Sequence, residues 1–218
     1  MRRVAKKRCE RVGSRKGFTI IEIMVTLGII GVLASLAFTN YYARLPRIRA
    51  SDGARQIWAD LHLARSTASK EKVDVVVSFD VVHNTYSVIR DVGNDMSSST
   101  PPPSNDVVIA RKNLPVGIQF VSGVAIFGIR GEALGDGVVL KNNRVFFQFT
   151  GHATINNDDT MSALPLDLYR SIYIMHERTG LGAKNDVWQQ TIFGVYIEPI
   201  SGLPKVYHYD YTAEKWGR

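Results

Sequence analysis

Beyond residue 17 this sequence has no cysteine and no excess of either charge. The single thiol, Cys9, sits in a basic tail, so disulfides, zinc-thiolate sites and a cysteine nucleophile are excluded from the rest of the chain. Lys7-Arg8 ahead of it also excludes a lipoprotein signal, which needs small apolar residues there. The formal charge of +7 is local: residues 1–17 hold eight basic residues against Glu10 alone, and the remainder balances at 19 of each sign. A pI near 9.6 therefore reports topology, because positive flanks stay cytoplasmic, and gives poor support for a nucleic-acid-binding domain. Catalytic patterns are missing too. His62, His83, His152, His176 and His208 show no paired spacing, and the glycine-rich Gly128–Gly137 has no P-loop lysine. Asn156–Asp159 lacks EF-hand spacing, and no nucleophile, base and orienter can be assembled. The expectation is a non-enzymatic protein with no cofactor and no metal, and there is no internal repeat.

What the sequence does have is a long apolar run. Phe18 to Ala43 contains one charged residue, Glu22, and as a helix would extend about 39 Å, enough to cross a hydrocarbon core of roughly 30 Å. Gly28, Gly31, Ala34 and Ser35 fall three or four apart and offer a flat face for close helix packing. Tyr41-Tyr42 suit a membrane interface, followed by Arg44, Arg47 and Arg49. Pro46 is expected to bend the helix or end it.

Further on, Ala54, Ile57, Trp58, Leu61, Ala64 and Ala68 recur at helical spacing, with Asp60, His62, Ser66 and Ser69 elsewhere, which predicts an amphipathic helix lying on a sheet. The period then changes. Val73 to Val82 alternates apolar and polar residues, as a strand with one buried face does. More strands are predicted at Tyr86–Asp91, Val107–Lys112, Ile118–Val121, Arg144–Phe149, Ser171–Glu177, Thr191–Ile197 and Lys205–Tyr209. Gly93–Asp106, rich in serine and proline, is the expected mobile loop, and Gly123–Gly137 reads as a long irregular connection.

Glu22 raises the functional question. A carboxylate in a membrane segment costs about 2.5–3.5 kcal/mol at the helix centre and less near an end, so it calls for a partner. Cutting between Gly17 and Phe18 would free an amine at Phe18. On a neighbouring helix offset lengthwise, Glu22 can meet that amine, and such a contact repeated without closure builds a filament.

Arg15-Lys16-Gly17 followed by Phe18-Thr19-Ile20-Ile21-Glu22 resembles the processing site of type IV pilins and type II secretion pseudopilins. The resemblance implies cleavage after Gly17 by a membrane aspartyl prepilin peptidase, N-methylation of Phe18, and Glu22 as the assembly carboxylate. Leu63-Ala64-Arg65-Ser66-Thr67-Ala68 and Arg144–Ile155 resemble segments of GspH/FimT-type minor pseudopilins and pilins. The fold class implied is α+β and pilin-like: a long N-terminal α-helix, membrane half plus amphipathic half, packed on an antiparallel β-sheet head. The expected organisation is a cleaved leader over 1–17, a transmembrane polymerisation helix over 18–45, an amphipathic helix over 46–72 and a periplasmic head over 73–218. The implied partners are other pilins or pseudopilins, the prepilin peptidase and an inner-membrane assembly platform. The implied location is a bacterial inner membrane, then a pilus or pseudopilus. Gly28, Gly31 and Ser35 would serve helix packing. Arg65 is read as structural, paired with Asp60 or Glu71, and Ser66 as a cap or a tight contact.

Two other readings stay open. Some FimT-type pilins bind DNA through a Gly-Arg-x-Arg motif between their last strands. Here the matching place is Gly202-Leu203-Pro204-Lys205, both arginines are missing, and Lys205 and Arg218 remain as weak contacts among tyrosines, so nucleic acid is not the expected partner. Ser35-Leu36-Ala37 also resembles a signal-peptidase site, which would release a soluble protein beginning at Phe38.

Overall fold

A computed structural model of the chain describes residues 17–92, 106–121, 128–131, 136–154, 170–177, 191–198, 201–210 and 213–218. The basic leader, Asn156–Asp159 and most of the serine- and proline-rich loop lie outside these residues, as do 122–127 and 132–135 of the long connection.

Helix α1 runs over Ile20–Glu71. Its start is capped by Thr19, whose hydroxyl accepts the backbone N–H of Glu22 at 3.3 Å while its carbonyl accepts that of Ile23 at 3.2 Å. At the far end Lys70 lies in the last turn, and Lys72 takes the left-handed conformation at φ 56°, a position that glycine usually fills. The helix does not end at Pro46. The proline leaves the carbonyl of Tyr42 without its helical donor, and the chain divides at that residue into two compact units, Met1–Tyr42 and Ala43–Arg218.

Within the second unit, Ala50, Ala54, Ile57, Leu61, Ala64 and Ala68 form the buried stripe of α1. Four of the six are alanines, so the helix backbone approaches the strands closely. At Gly53 even a methyl group would meet Ile174 Cδ1 at 3.0 Å. Two expectations about this helix fail. Trp58 lies off the stripe, 38% exposed, with its indole N–H donating to the carbonyl of Pro204 at 2.9 Å. Asp60, expected on the wet side, is only 4% exposed.

The head holds two antiparallel sheets where one was expected. In the first, the order is β3 (Val107–Asn113), β2 (Thr85–Asp91), β1 (Asp74–Asp80), β6 (Arg144–Phe147) and β7 (Ala153–Thr154). In the second it is β11 (Lys215–Gly217), β10 (Pro204–Asp210), β9 (Phe193–Ile197), β8 (Ser171–His176) and β4 (Ile118–Phe120), with β5 (Val138–Val139) also on β8. Every described pairing is antiparallel. The inner faces, Val75, Val77 and Phe79 from one sheet and Ile172, Ile174 and Val195 from the other, join the α1 stripe in one core.

Strand β1 also departs from its expected single buried face. Asp74 and Val76, on the polar register, are buried as well. Val76 faces Ile89 and Phe146 on the neighbouring strands, and Asp74 accepts the backbone N–H of Phe149 at 3.0 Å. Strands β8 and β9 are buried throughout, and the outward Tyr173 and Met175 of β8 pack with Val121, Ile192 and Tyr209 in a second cluster.

Candidate assembly site

Gly17, Phe18 and Thr19 precede α1 in a non-helical, exposed segment. No atom of the described residues lies within 4 Å of where a Cβ at Gly17 would be. Packing by the described residues therefore places no requirement for glycine at this position. Phe18 is among the most exposed large side chains of the described chain.

Glu22 is the third residue of α1, and Thr19-x-x-Glu22 has the spacing of a capping box. That local signal was legible in the sequence and gives the carboxylate a second reason to be there: a negative group near a helix N-terminus is stabilised by the helix dipole. Among the described residues, Glu22 has no cationic partner within ion-pair distance.

Ile20–Phe38 is the one described helical stretch long and apolar enough to cross a membrane, and none of the described residues buries it. Gly28 and Gly31 have open space where a Cβ would project. The hydroxyls of Thr26 and Ser35 are turned back onto their own helix, donating to the carbonyls of Ile23 at 2.9 Å and Val32 at 2.7 Å. At about 100° per residue, Gly28, Gly31 and Ser35 fall within about 60° of one another, centred roughly 210° around the helix from Glu22. The structure thus groups the three small residues on one face and puts the carboxylate on nearly the opposite one. Towards the end of this unit Phe38 stacks on Tyr42 at 6.4 Å, and Tyr41 meets Tyr42 edge-on at 6.0 Å.

The residues singled out in the head have structural partners. Arg65 pairs with neither Asp60 nor Glu71; its Nε donates to the carbonyl of Gly151 at 3.1 Å. Asp60 is taken by Tyr86, whose hydroxyl donates to it at 2.5 Å, and by Lys112 at 2.7 Å. Gln56 completes this network by donating to Tyr86 at 3.0 Å. Burial and the neighbouring Asp60 push the Tyr86 phenol well above its ordinary value. Glu71 pairs with Arg90 at 2.8 Å. Ser66 is exposed and donates to the carbonyl of Leu63 at 2.9 Å, so it neither caps nor fills a tight contact.

The place matching the DNA-contact motif is a packed turn. Gly202 has φ 65°, and a Cβ there would fall 2.7 Å from the carbonyl oxygen of Gly151 and 3.4 Å from Arg65 Nε. Arg65 thus ties α1 to the Gly151 turn, against which the Gly202 turn of the other sheet packs. Lys205 is ion-paired with Glu198 at 3.0 Å, and that lysine, then Ser201, holds the Glu198 carboxyl below its ordinary range. Tyr209 is buried against Trp216, and Trp216 lies 5.2 Å from Tyr173 as well. Arg218 is exposed beyond β11, and Tyr211 lies outside the described residues.

Compared with known proteins, residues 13–38 match the family model described as the prokaryotic N-terminal methylation motif. The N-terminal segment therefore carries that methylation motif. Among solved structures the chain is similar to the minor pseudopilin EpsH from the type 2 secretion system of Vibrio cholerae. The identity is 13%, over 72% of this chain and 95% of that one, with a TM-score of 0.39.

Proposed function

We propose that the chain is a structural minor subunit of a type II secretion pseudopilus or a type IV pilus, anchored in a bacterial inner membrane with its head on the periplasmic side. The observation that carries this reading is the methylation motif, which spans the junction between the basic leader and the apolar helix. Prepilin peptidase cuts after Gly17 and Phe18 becomes the methylated terminus. The exposed, non-helical backbone at Gly17 and Phe18 supports this, since a peptidase needs an extended chain.

Glu22 then receives the Phe18 amine of an adjoining subunit. The absence of a cation for Glu22 among the described residues supports a partner from outside the chain. The opposed placement of Glu22 and the small-residue face suits a helix with a different neighbour on each side. Contacts of that kind propagate and do not close on themselves. The leader basic residues keep the N-terminus cytoplasmic until cleavage. Assembly force comes from other proteins of the platform, and the head selects neighbours or cargo.

Mass analysis of the N-terminus of material purified from the native host tests this directly. The expected first residue is Phe18, heavier by one methyl group. A chain beginning at Phe38 would mark an ordinary signal peptide and overturn the proposal.

A further inference from the structure

Sheet edges in the head are unequal. Among the described residues, β7, β11 and β4 end their sheets with only two or three residues each, whereas β3 is a seven-residue edge. It pairs with β2 on one side, through a register shift between Val88 and Ile89. On the other side no described residue pairs with it. In an antiparallel ladder alternate residues turn both backbone groups away from the partner, so a strand of this length presents about three such residues outward over about 23 Å.

An exposed edge is a template for another strand, and proteins usually blunt it with proline, charge, a bulge or a covering segment. Strand β3 has a bulge at Ile109, which leaves regular ladder at Val107–Val108 and over Ala110–Asn113. Strand β3 has no proline, and Val107, Val108 and Ile109 at its start are 43%, 46% and 39% exposed. Its charges are Arg111 and Lys112, with no acidic residue in the strand. Lys112 is turned under α1 to Asp60. That leaves Arg111, which has no carboxylate partner among the described residues.

We propose that the outer edge of β3 is a docking site for an extended segment of another protein, added as a sixth strand to this sheet. The segment carries apolar residues opposite Val107–Ile109 and a carboxylate opposite Arg111. Backbone hydrogen bonds supply the attachment, and the charge sets orientation and partner choice. A second copy of β3 is the poorer occupant, since it brings the same two cations and no acid. The site lies in the head and is independent of processing at Gly17, so its failure would leave the assembly reading untouched.

The test is hydrogen exchange on the full chain in detergent micelles, followed over residues 107–113. The probe is a capped heptapeptide of alternating valine and threonine with one central glutamate. Its controls are a twin methylated at every amide nitrogen and a twin with lysine for glutamate. The outward amides of β3 should exchange fast alone and slow at least tenfold with the glutamate peptide at millimolar concentration. The methylated twin should give no protection, and Arg111→Glu should transfer the preference to the lysine peptide by about fivefold. The proposal is overturned by no protection from the glutamate peptide, or by equal protection from the methylated twin. It is equally overturned by protection without peptide: if this is independent of concentration, the chain covers its own edge, and if it grows with concentration, a second copy does.

Discussion

Replacing Glu22 in two ways separates its two structural reasons for being where it is. At the third position of α1, after the Thr19 cap, glutamate and glutamine both complete a capping box, and alanine does not. If capping and the helix dipole were the whole role, Glu22→Ala would cost about 0.5–1 kcal/mol and Glu22→Gln less, a two- to fivefold effect at most. If the carboxylate neutralises a terminal amine between apolar helices, both substitutions leave a buried cation unpaired. Breaking such a pair costs about 3–5 kcal/mol, roughly two to four orders of magnitude in the incorporation equilibrium. The assay is the fraction of the chain found in sheared filaments against membrane. N-terminal mass is read on the same samples, so that loss of processing is not mistaken for loss of assembly. Both variants should be cut and methylated, and both should be nearly absent from filaments. Wild-type incorporation of Glu22→Gln would refute the pairing, because it would leave the cap as a sufficient explanation.

Three further outcomes follow from the head. Asp60→Asn removes a buried charge that two donors share, but the half-exposed Lys112 can hydrate, so the loss should fall near about 1–3 kcal/mol; a double cycle with Tyr86→Phe, read by thermal melting, should show coupling, and additivity would dissolve the network. Gly202→Ala puts a methyl group 2.7 Å from a backbone oxygen at φ 65°, whereas at Gly151 (φ 85°) the nearest atoms are side chains at 3.4 Å or more. Gly202→Ala should therefore cost about 2–4 kcal/mol against about 1–2 for Gly151→Ala, and the reverse order of melting temperatures would contradict the packed turn. His62 is held below its ordinary pKa, first by burial and then by Arg65, so the folded state resists protonation more than the unfolded one. The stability this contributes is complete above about pH 7 and declines as pH falls through the ordinary histidine value of about 6.5; His62→Gln should flatten the melting temperature between pH 7.5 and 5.5.

The legible and illegible parts of this sequence divide by range of interaction. Most strand positions could be read because β-propensity and turn residues act within a few residues: β2, β3 and β8 begin or end within a residue of their expected bounds. The pair Val138–Val139 is too short to leave a period, and its existence depends on a partner more than thirty residues along the chain, Ser171–Ile172. The split into two sheets depends on such pairings too, as does the burial of both faces of β8, and no local pattern encodes either. Asp60 shows the limit most sharply. A polar residue on a helix predicts solvent, and only the arrival of Tyr86 and Lys112, 26 and 52 residues later, makes its burial affordable. Arg65 errs the same way: a cation predicts a carboxylate, and what it finds is the carbonyl of a turn 86 residues on. The N-terminal segment is different in kind, because a peptidase and a neighbouring helix read it as a short exposed string, not through a tertiary fold. Its meaning is local for a physical reason: Gly17, Phe18 and Glu22 are unpacked by their own chain among the described residues, so nothing distant in the sequence was needed to interpret them.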